Sequence, residues 1–425
     1  MRSAASLSTS VTDVERESGG RTVGVVTRAA HRSGRAAPRR AGLALLAGAA
    51  LVVSGCTKQK QNIFKGEGSS SKDINKLQTP VFYAAAVVGV IVFLAIVFVM
   101  VRYREKPDAP IPVQAHGRFG VEIGLTSLSA LILAPIAVFT WITVMNLARP
   151  VKDPAVTVTV IGQQWWWEFD YQNVLDDSGR PLVTSGELVI PAGKPVQLRI
   201  TSRDVIHSFW IPALNGKKDA VPNRYSPLRM EADKPGEYFG QCTEFCGLSH
   251  ANMRMKVIAL NDQDWAAWTK NQAKSITKPA DGTAEARGYE TLSRCVSCHQ
   301  VTGYLGADGK QVEPKADEQL VSGAAPNLTH VMSRSTFAGA NFALRTEDCM
   351  AQLETAKAED FGAKYLAGST DCLNRAELEA WLRNPSALKP MAATPGPDGL
   401  RRGMPNLGLT EDQIDDLIAF LKTLK

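Results

Sequence analysis

Two short stretches of this chain carry side chains suited to soft-metal and redox chemistry. The first, Gln241-Cys-Thr-Glu-Phe-Cys-Gly-Leu-Ser-His-Ala-Asn-Met253, places two thiols, an imidazole and a thioether within 12 residues. Thiolate and thioether donors favour copper over hard cations, and imidazole suits it as well. A single blue-copper site needs one Cys, two His and a weak axial Met. Here Cys242 and Cys246 stand at i and i+4, with His250 four residues on and Met253 after it. A second thiolate lets two sulfurs bridge two coppers, which spreads one electron over both metals and limits rearrangement on redox change. One more imidazole must come from elsewhere. His207, in Asp204-Val-Ile-His-Ser-Phe-Trp-Ile-Pro212 between two expected strands, is placed to supply it. A disulfide and a Cys2His2 zinc site are the rival readings, and Met253 and the β-rich setting weigh against both.

The second stretch, Cys295-Val-Ser-Cys298-His299, is the c-type haem attachment pattern. Two thiols add to the haem vinyls and the adjacent His takes the proximal position. A redox dithiol or half a zinc site is the rival. A sixth ligand is expected far downstream, where a Met would raise the potential. Met404, in Gly403-Met-Pro-Asn-Leu-Gly-Leu-Thr410, is the first choice and Met391 the second.

These motifs need elements to position them. From Val156 the sequence alternates, in Val156–Val160, Leu188–Ile190 and Val196–Thr201, with turn signals at Pro191-Ala-Gly-Lys-Pro195 and Lys234-Pro-Gly236. Short alternating strands with such turns indicate an all-β, antiparallel sandwich or barrel over about 150–262, ending in the strand Met255–Leu260. A polar linker, 263–283, follows. The rest, 284–425, reads as all-α: Ala284–Leu292 leads into the haem motif, and Asn374–Arg383 and Glu411–Leu424 show helical spacing. In the last, Ile414, Leu417, Ile418 and Leu421 make the buried face and Thr410 is the N-cap.

Upstream, Val81–Val101 and Ile123–Leu147 are uncharged runs of 21 and 25 residues. As helices the shorter would span roughly 30 Å, which matches a bilayer core. They form a transmembrane hairpin over 81–148, and Pro135 is tolerated inside it. The loop between them carries Arg102, Arg104, Lys106 and Arg118 against Glu105 and Asp108, which puts it in the cytoplasm and everything after Arg149 outside. Export agrees with this. Arg39-Arg40 precede the apolar run Ala41–Val53, and Val53-Ser-Gly-Cys56 resembles a lipoprotein cleavage site, so 1–55 reads as a signal peptide and 56–80 as an extracytoplasmic segment. Eight arginines fall in the first 40 residues, but no basic stripe interleaved with aromatics follows, which argues against nucleic-acid binding. Of the seven cysteines, Cys349 and Cys372 remain outside any motif, and in an exported domain they are expected to form a disulfide.

Three segments together, Gly240–Met253, Asp204–Pro212 and Gly162-Gln-Gln-Trp-Trp-Trp-Glu-Phe-Asp-Tyr171, resemble subunit II of cytochrome c oxidase over roughly residues 75–262. The resemblance implies a cupredoxin domain with the binuclear centre called CuA. Its side-chain ligands would be His207, Cys242, Cys246, His250 and Met253. Glu244 would bind copper through its carbonyl and point its carboxylate at a Mg2+ shared with subunit I. Trp165 falls where the family places the aromatic at the surface that receives electrons, and simple packing is its plainer reading. Glu122 resembles the glutamate at the mouth of a proton pathway, although at a helix N-terminus it also complements the dipole. The C-terminal part is similar to class I cytochromes c, with Gly403–Thr410 matching their Met-Pro segment and Ala325–His330 their post-haem segment, in which His330 reads as structural. It departs from them in a longer Pro/Gly-rich loop before Met404 and an insertion around Phe342–Cys372.

A cytochrome c fused behind a CuA domain is the arrangement of caa3-type oxidases. It implies a tethered donor at high effective concentration. Electrons would run from an upstream cytochrome or bc1-type complex to haem c, then CuA, then haem a and the haem a3–CuB centre of subunit I, where oxygen is reduced with proton translocation. Subunit III would complete the complex in a bacterial cell membrane. The chain itself has no histidine-rich membrane helix to hold those haems. A CuA-containing nitric oxide reductase subunit and a stand-alone electron-transfer lipoprotein are the alternatives. A quinol-oxidase subunit is disfavoured because the copper donors are present.

Overall fold

The computed structural model describes residues 60–425 except 105–106, 108–109, 111–112, 115–116, 178, 278, 302–324 and 393–401. The expected export segment with Cys56, and Glu105, Lys106 and Asp108 of the loop expected in the cytoplasm, lie outside the described residues.

Two long helices come first, α1 (Ser69–Arg102) and α2 (Phe119–Leu147). Ile91, Phe93, Leu94 and Phe98 on α1, and Leu125, Leu131, Leu133 and Phe139 on α2, are all more than half exposed. An apolar surface that continuous is unfavourable in water and is what a bilayer requires. With 34 residues, α1 is about 50 Å long, well beyond a hydrocarbon core of about 30 Å. It begins twelve residues before the apolar run, because the β-domain holds its polar first turn. Ser71 Oγ donates to the Ala213 carbonyl at 2.7 Å and Ser69 Oγ to Glu231 at 2.9 Å.

Ten strands then build two five-stranded sheets. One has the order β3 (Pro181–Ser185), β2 (Trp166–Leu175), β1 (Val156–Gln163), β5 (Val196–Ser202), β8 (Ser226–Met230). The other has the order β4 (Glu187–Pro191), β10 (Arg254–Leu260), β9 (Gly236–Cys242), β6 (His207–Trp210), β7 (Lys218–Ala220). This is the cupredoxin-like domain. The strands are not all antiparallel, as their brevity suggests: β1–β5 and β4–β10 are parallel. The intervening strands supply the crossover length that parallel pairing needs. The inner faces bury Val158, Val160, Trp167, Phe169, Leu198, Ile200, Phe209 and Val257 with no exposure. The start of the expected linker is helix α3 (Asp262–Gln272), capped by Asn261 and packed through Trp265 and Trp268 on Tyr171.

The C-terminal domain contains α4 (Ala284–Leu292), a two-stranded ribbon of β11 (Thr336–Phe337) and β12 (Phe342–Ala343), α5 (Glu347–Glu354), α6 (Ala358–Leu366), α7 (Arg375–Arg383), α8 (Pro385–Leu388) and α9 (Glu411–Leu421). Helices α4 and α9 cross closely at Gly288, where an added Cβ would lie 2.0 Å from the Asp416 carbonyl. Arg287 pairs with Asp416 across the same crossing. Around it Leu292, Leu378, Trp381, Ile414, Leu417 and Ile418 form the core of the cytochrome domain. Cys349 and Cys372 are joined in a disulfide. The insertion that they close does not lie on this core. Leu353, Phe361 and Tyr365, from α5 and α6, are buried with the β-domain's core instead.

Candidate copper and haem sites

Strands β6 and β9 are neighbours, with Phe209 opposite Cys242. His207 at the start of β6 and the loop after β9 therefore meet at one end of the sandwich. Trp167 and Phe209 pack edge-on behind the imidazole, with Trp167 5.9 Å from its centroid. Gly162 gives the ring room, since a Cβ there would lie 2.8 Å from His207 Cδ2.

The donor atoms converge. Cys242 Sγ lies 3.8 Å from Cys246 Sγ, 4.0 Å from His207 Nδ1 and 3.3 Å from the Glu244 carbonyl oxygen. Cys246 Sγ lies 3.5 Å from His250 Nδ1 and 3.8 Å from Met253 Sδ. His207, Cys242 and Cys246 are buried. The two thiols are unlinked although the chain forms a disulfide elsewhere. A zinc site would leave Met253 without a role, whereas thiolate, imidazole and thioether together fit copper. A hydrogen bond from the Cys246 thiol, aided by His207, holds Cys242 far below the usual thiol range and pushes Cys246 up. The pair thus favours loss of a proton from Cys242, and the thiolate is the form that binds metal.

The loop is braced from outside the donor set. Asp204 Oδ1 meets His207 Nε2 at 2.8 Å, leaving Nδ1 for a metal. Burial would lower the His207 pKa, but Asp204 and Cys242 together outweigh it and raise it. Gln164 Nε2 and Trp165 Nε1 both donate to the Cys246 carbonyl, at 2.7 and 3.0 Å. Asp204 and Gln164 were legible only as neighbours of motif residues; Asp204 stands one helical-type step, three residues, before His207. Trp165 is 5% exposed and so lies beneath the surface. Lys389 of the cytochrome domain donates to its carbonyl at 2.7 Å. Glu244 is exposed, beside Phe245 at 78% and Leu248 at 65% exposure.

At the haem motif, the amides of Cys298 and His299 both donate to the Cys295 carbonyl, at 3.0 and 2.9 Å, so the motif forms a turn behind α4. Cys295 and Cys298 are unlinked. His299 Nδ1 meets the Pro326 carbonyl at 2.7 Å, which fixes the ring and leaves Nε2 for iron. Burial lowers the His299 pKa, favouring the neutral, ligating form. Met404 packs on the cytochrome core, while Met391 packs on both cores. An isolated bridge, Ala392 to Arg402, brings the two methionines' segments together. His330 is structural: its ring nitrogens face the Lys425 and Lys274 carbonyls. Glu122 sits in the first turn of α2, away from both sites.

The two domains are joined by buried polar contacts. Glu187, 2% exposed, accepts from the Ser335 amide at 3.0 Å and from the hydroxyls of Ser335 at 2.7 Å, Thr336 at 2.5 Å and Tyr365 at 2.8 Å. Burial would raise its pKa, but Lys256 and these donors outweigh that and hold the carboxyl below its usual range. The expected tethered donor is therefore docked.

A sandwich with a thiol-rich metal loop, bearing a helical domain with a haem-attachment motif, defines a membrane-anchored electron-transfer protein. Residues 173–260 match the family model of the cytochrome c oxidase subunit II periplasmic domain, and residues 285–425 match that of cytochrome c. Cytochrome c oxidase subunit 2 of Alkalihalophilus pseudofirmus is 31% identical, over 80% of this chain and 84% of the relative. That of Bacillus subtilis is 28% identical, over 81% of this chain and 89% of the relative. The chain belongs to the cytochrome c oxidase subunit 2 family, in the caa3-type form that carries a fused cytochrome c domain. It is a copper- and haem c-binding electron-input subunit of a haem–copper terminal oxidase, with its domains outside the membrane.

Proposed function

We propose that this chain delivers electrons from its own haem c through a binuclear copper centre to an oxidase subunit I. His207, Cys242, Cys246, His250, Met253 and the Glu244 carbonyl hold the two coppers. Such a centre, when bound, would supply a one-electron relay. Cys295 and Cys298 would attach the haem, and His299 and Met404 would ligate its iron. The convergence of five side-chain donors and one carbonyl around two unlinked thiols is the observation that carries this reading.

The remaining parts follow from that assignment. The exposed rim of Phe245 and Leu248 faces subunit I, and the Glu244 carboxylate beside it shares a Mg2+ with that subunit. Trp165 lies on the route by which electrons reach Cys246, through its indole bond to that residue's carbonyl. Glu122 opens a proton pathway at the cytoplasmic start of α2. The hairpin crosses a bacterial cell membrane twice, after removal of residues 1–55. The cupredoxin domain occupies 150–262 and the cytochrome domain 284–425, and an upstream cytochrome or bc1-type complex donates to the haem. In subunit I, oxygen is reduced to water with proton translocation, and subunit III completes the complex.

Affinity purification of the full-length chain from its own membranes tests the reading. A partner subunit bearing haem a and copper, with oxygen uptake, is expected. A chain that purifies alone contradicts it, and a partner that reduces nitric oxide but not oxygen reassigns it.

A further inference from the structure

Lys389 is 3% exposed and has no carboxylate partner among the described residues. Its Nζ instead donates to two main-chain carbonyls from different domains, Trp165 at 2.7 Å and Ala338 at 3.0 Å. Burying a lysine costs free energy unless its amine is hydrogen-bonded, and here two carbonyls accept from it. Burial pushes its pKa down to about 7, opposed by Cys246, and a neutral amine still has two hydrogens for two carbonyls. Ala338 packs on the cytochrome core, and the Trp165 indole bonds the Cys246 carbonyl. Lys389 thus closes a continuous run of contacts from the haem domain to a copper-loop cysteine.

A second basic residue close in sequence, Arg402, reaches a different brace of the copper site, the Asp204 carboxylate. Arg402 lies two residues before Met404, and its carbonyl pairs with the Ala392 amide at 3.1 Å. Its Nε lies 3.9 Å from Asp204 Oδ2, and Asp204 Oδ1 holds His207 Nε2. The two cations therefore stand at either end of the longer loop that sets this domain apart from class I cytochromes c. Each contacts a residue that braces a copper donor.

We propose that Lys389 and Arg402 are positioning residues that latch the cytochrome domain onto the copper loop, so that electrons cross in one docked geometry. This rests on the copper and haem assignments above. The bound groups would supply the chemistry: one electron lost by a ferrous haem would be the one electron gained by the copper. No bond forms or breaks in the latch, and no proton moves. Glu187 grips the same segment through Ser335 and Thr336, a few residues before Ala338, so attachment has a second support and the latch sets fine position.

Flash photoreduction of haem c in the intact oxidase complex tests this, following haem reoxidation by copper. Lys389→Met is expected to slow the transfer several-fold. Copper near-infrared absorption, haem spectra and hydrogen-exchange protection of the Ser335 amide should all be retained. Lys389→Arg, which keeps the donors, should recover most of the rate, and Arg402→Gln should show a smaller loss. The wild-type rate should not change with ionic strength, as a docked pair requires. An unchanged rate in Lys389→Met with both centres loaded overturns the latch. If that variant does not fold, an unchanged rate in Arg402→Gln overturns it. Absence of the copper band from the wild-type complex is a different outcome: it removes the copper assignment, and the latch with it.

Discussion

The copper loop and the cytochrome domain solve the problem of holding a redox centre in different ways. In the copper loop, Cys242, Cys246, His250 and Met253 come from one short segment between β9 and β10, and a single distant residue, His207, completes the set. The strand pairing of β6 with β9 does the positioning, so the donors meet within 4.0 Å of their neighbours before any metal is considered. In the cytochrome domain the attachment motif is one tight turn, but its downstream partner is more than a hundred residues away in sequence. That domain also depends on its neighbour: the insertion that should belong to its own core is buried with the cupredoxin core. A local site rests on sheet register. A dispersed one rests on docking.

The largest effect expected from this contrast is at Cys246. Cys246→Ser removes a sulfur that touches three other donors, and should abolish the near-infrared copper absorption while leaving the haem c spectrum intact. A retained band would show that the loop does not hold the copper. The next largest is at Met404. Met404→Ala should convert haem c to high spin or expose it to carbon monoxide, whereas Met391→Ala should leave it low-spin; the reverse result moves the axial ligand to the domain junction.

The smallest effect is a pH dependence of docking. Glu187 has a folded pKa below its unfolded value of about 4.3, so its contribution is fully present above that value and is lost as pH falls through the lower folded pKa. Amide exchange at Ser335 and proteolysis between the domains should therefore quicken below about pH 4 in the wild type. Glu187→Gln should lose that acid-side step. An identical step in the variant would place the docking energy elsewhere.

The sequence carried this contrast unevenly. The candidate copper donors that the fold brings together were legible because their types are rare and their spacing is short, and His207 was singled out by the need for one more imidazole. The haem motif was legible for the same reason. The docking contacts were not, because Glu187 and Ser335 lie 148 positions apart and Lys389 and Trp165 lie 224 apart. A carboxylate within an apolar strand, or a lysine before a proline, gives no periodic signal of its partner. Helix α3 was hidden in an apparent linker because its apolar face is little more than Trp265 and Trp268, although Asn261 marks its start. The first turns of α1 read as a polar segment because Lys72, Asp73 and Lys76 outweigh a contact with Ala213 that only the fold creates. The disulfide could be expected from leftover cysteines, but not that it staples an element serving the other domain.

The central claim is that this chain carries one electron at a time on a binuclear copper centre beside its own haem. An electron paramagnetic resonance spectrum of the intact, oxidised complex tests it most directly. The account predicts one unpaired electron shared equally by two copper nuclei, together with one low-spin haem c per chain. A spectrum of a single isolated copper ion, or one with no such copper signal while haem c is fully loaded, would contradict it.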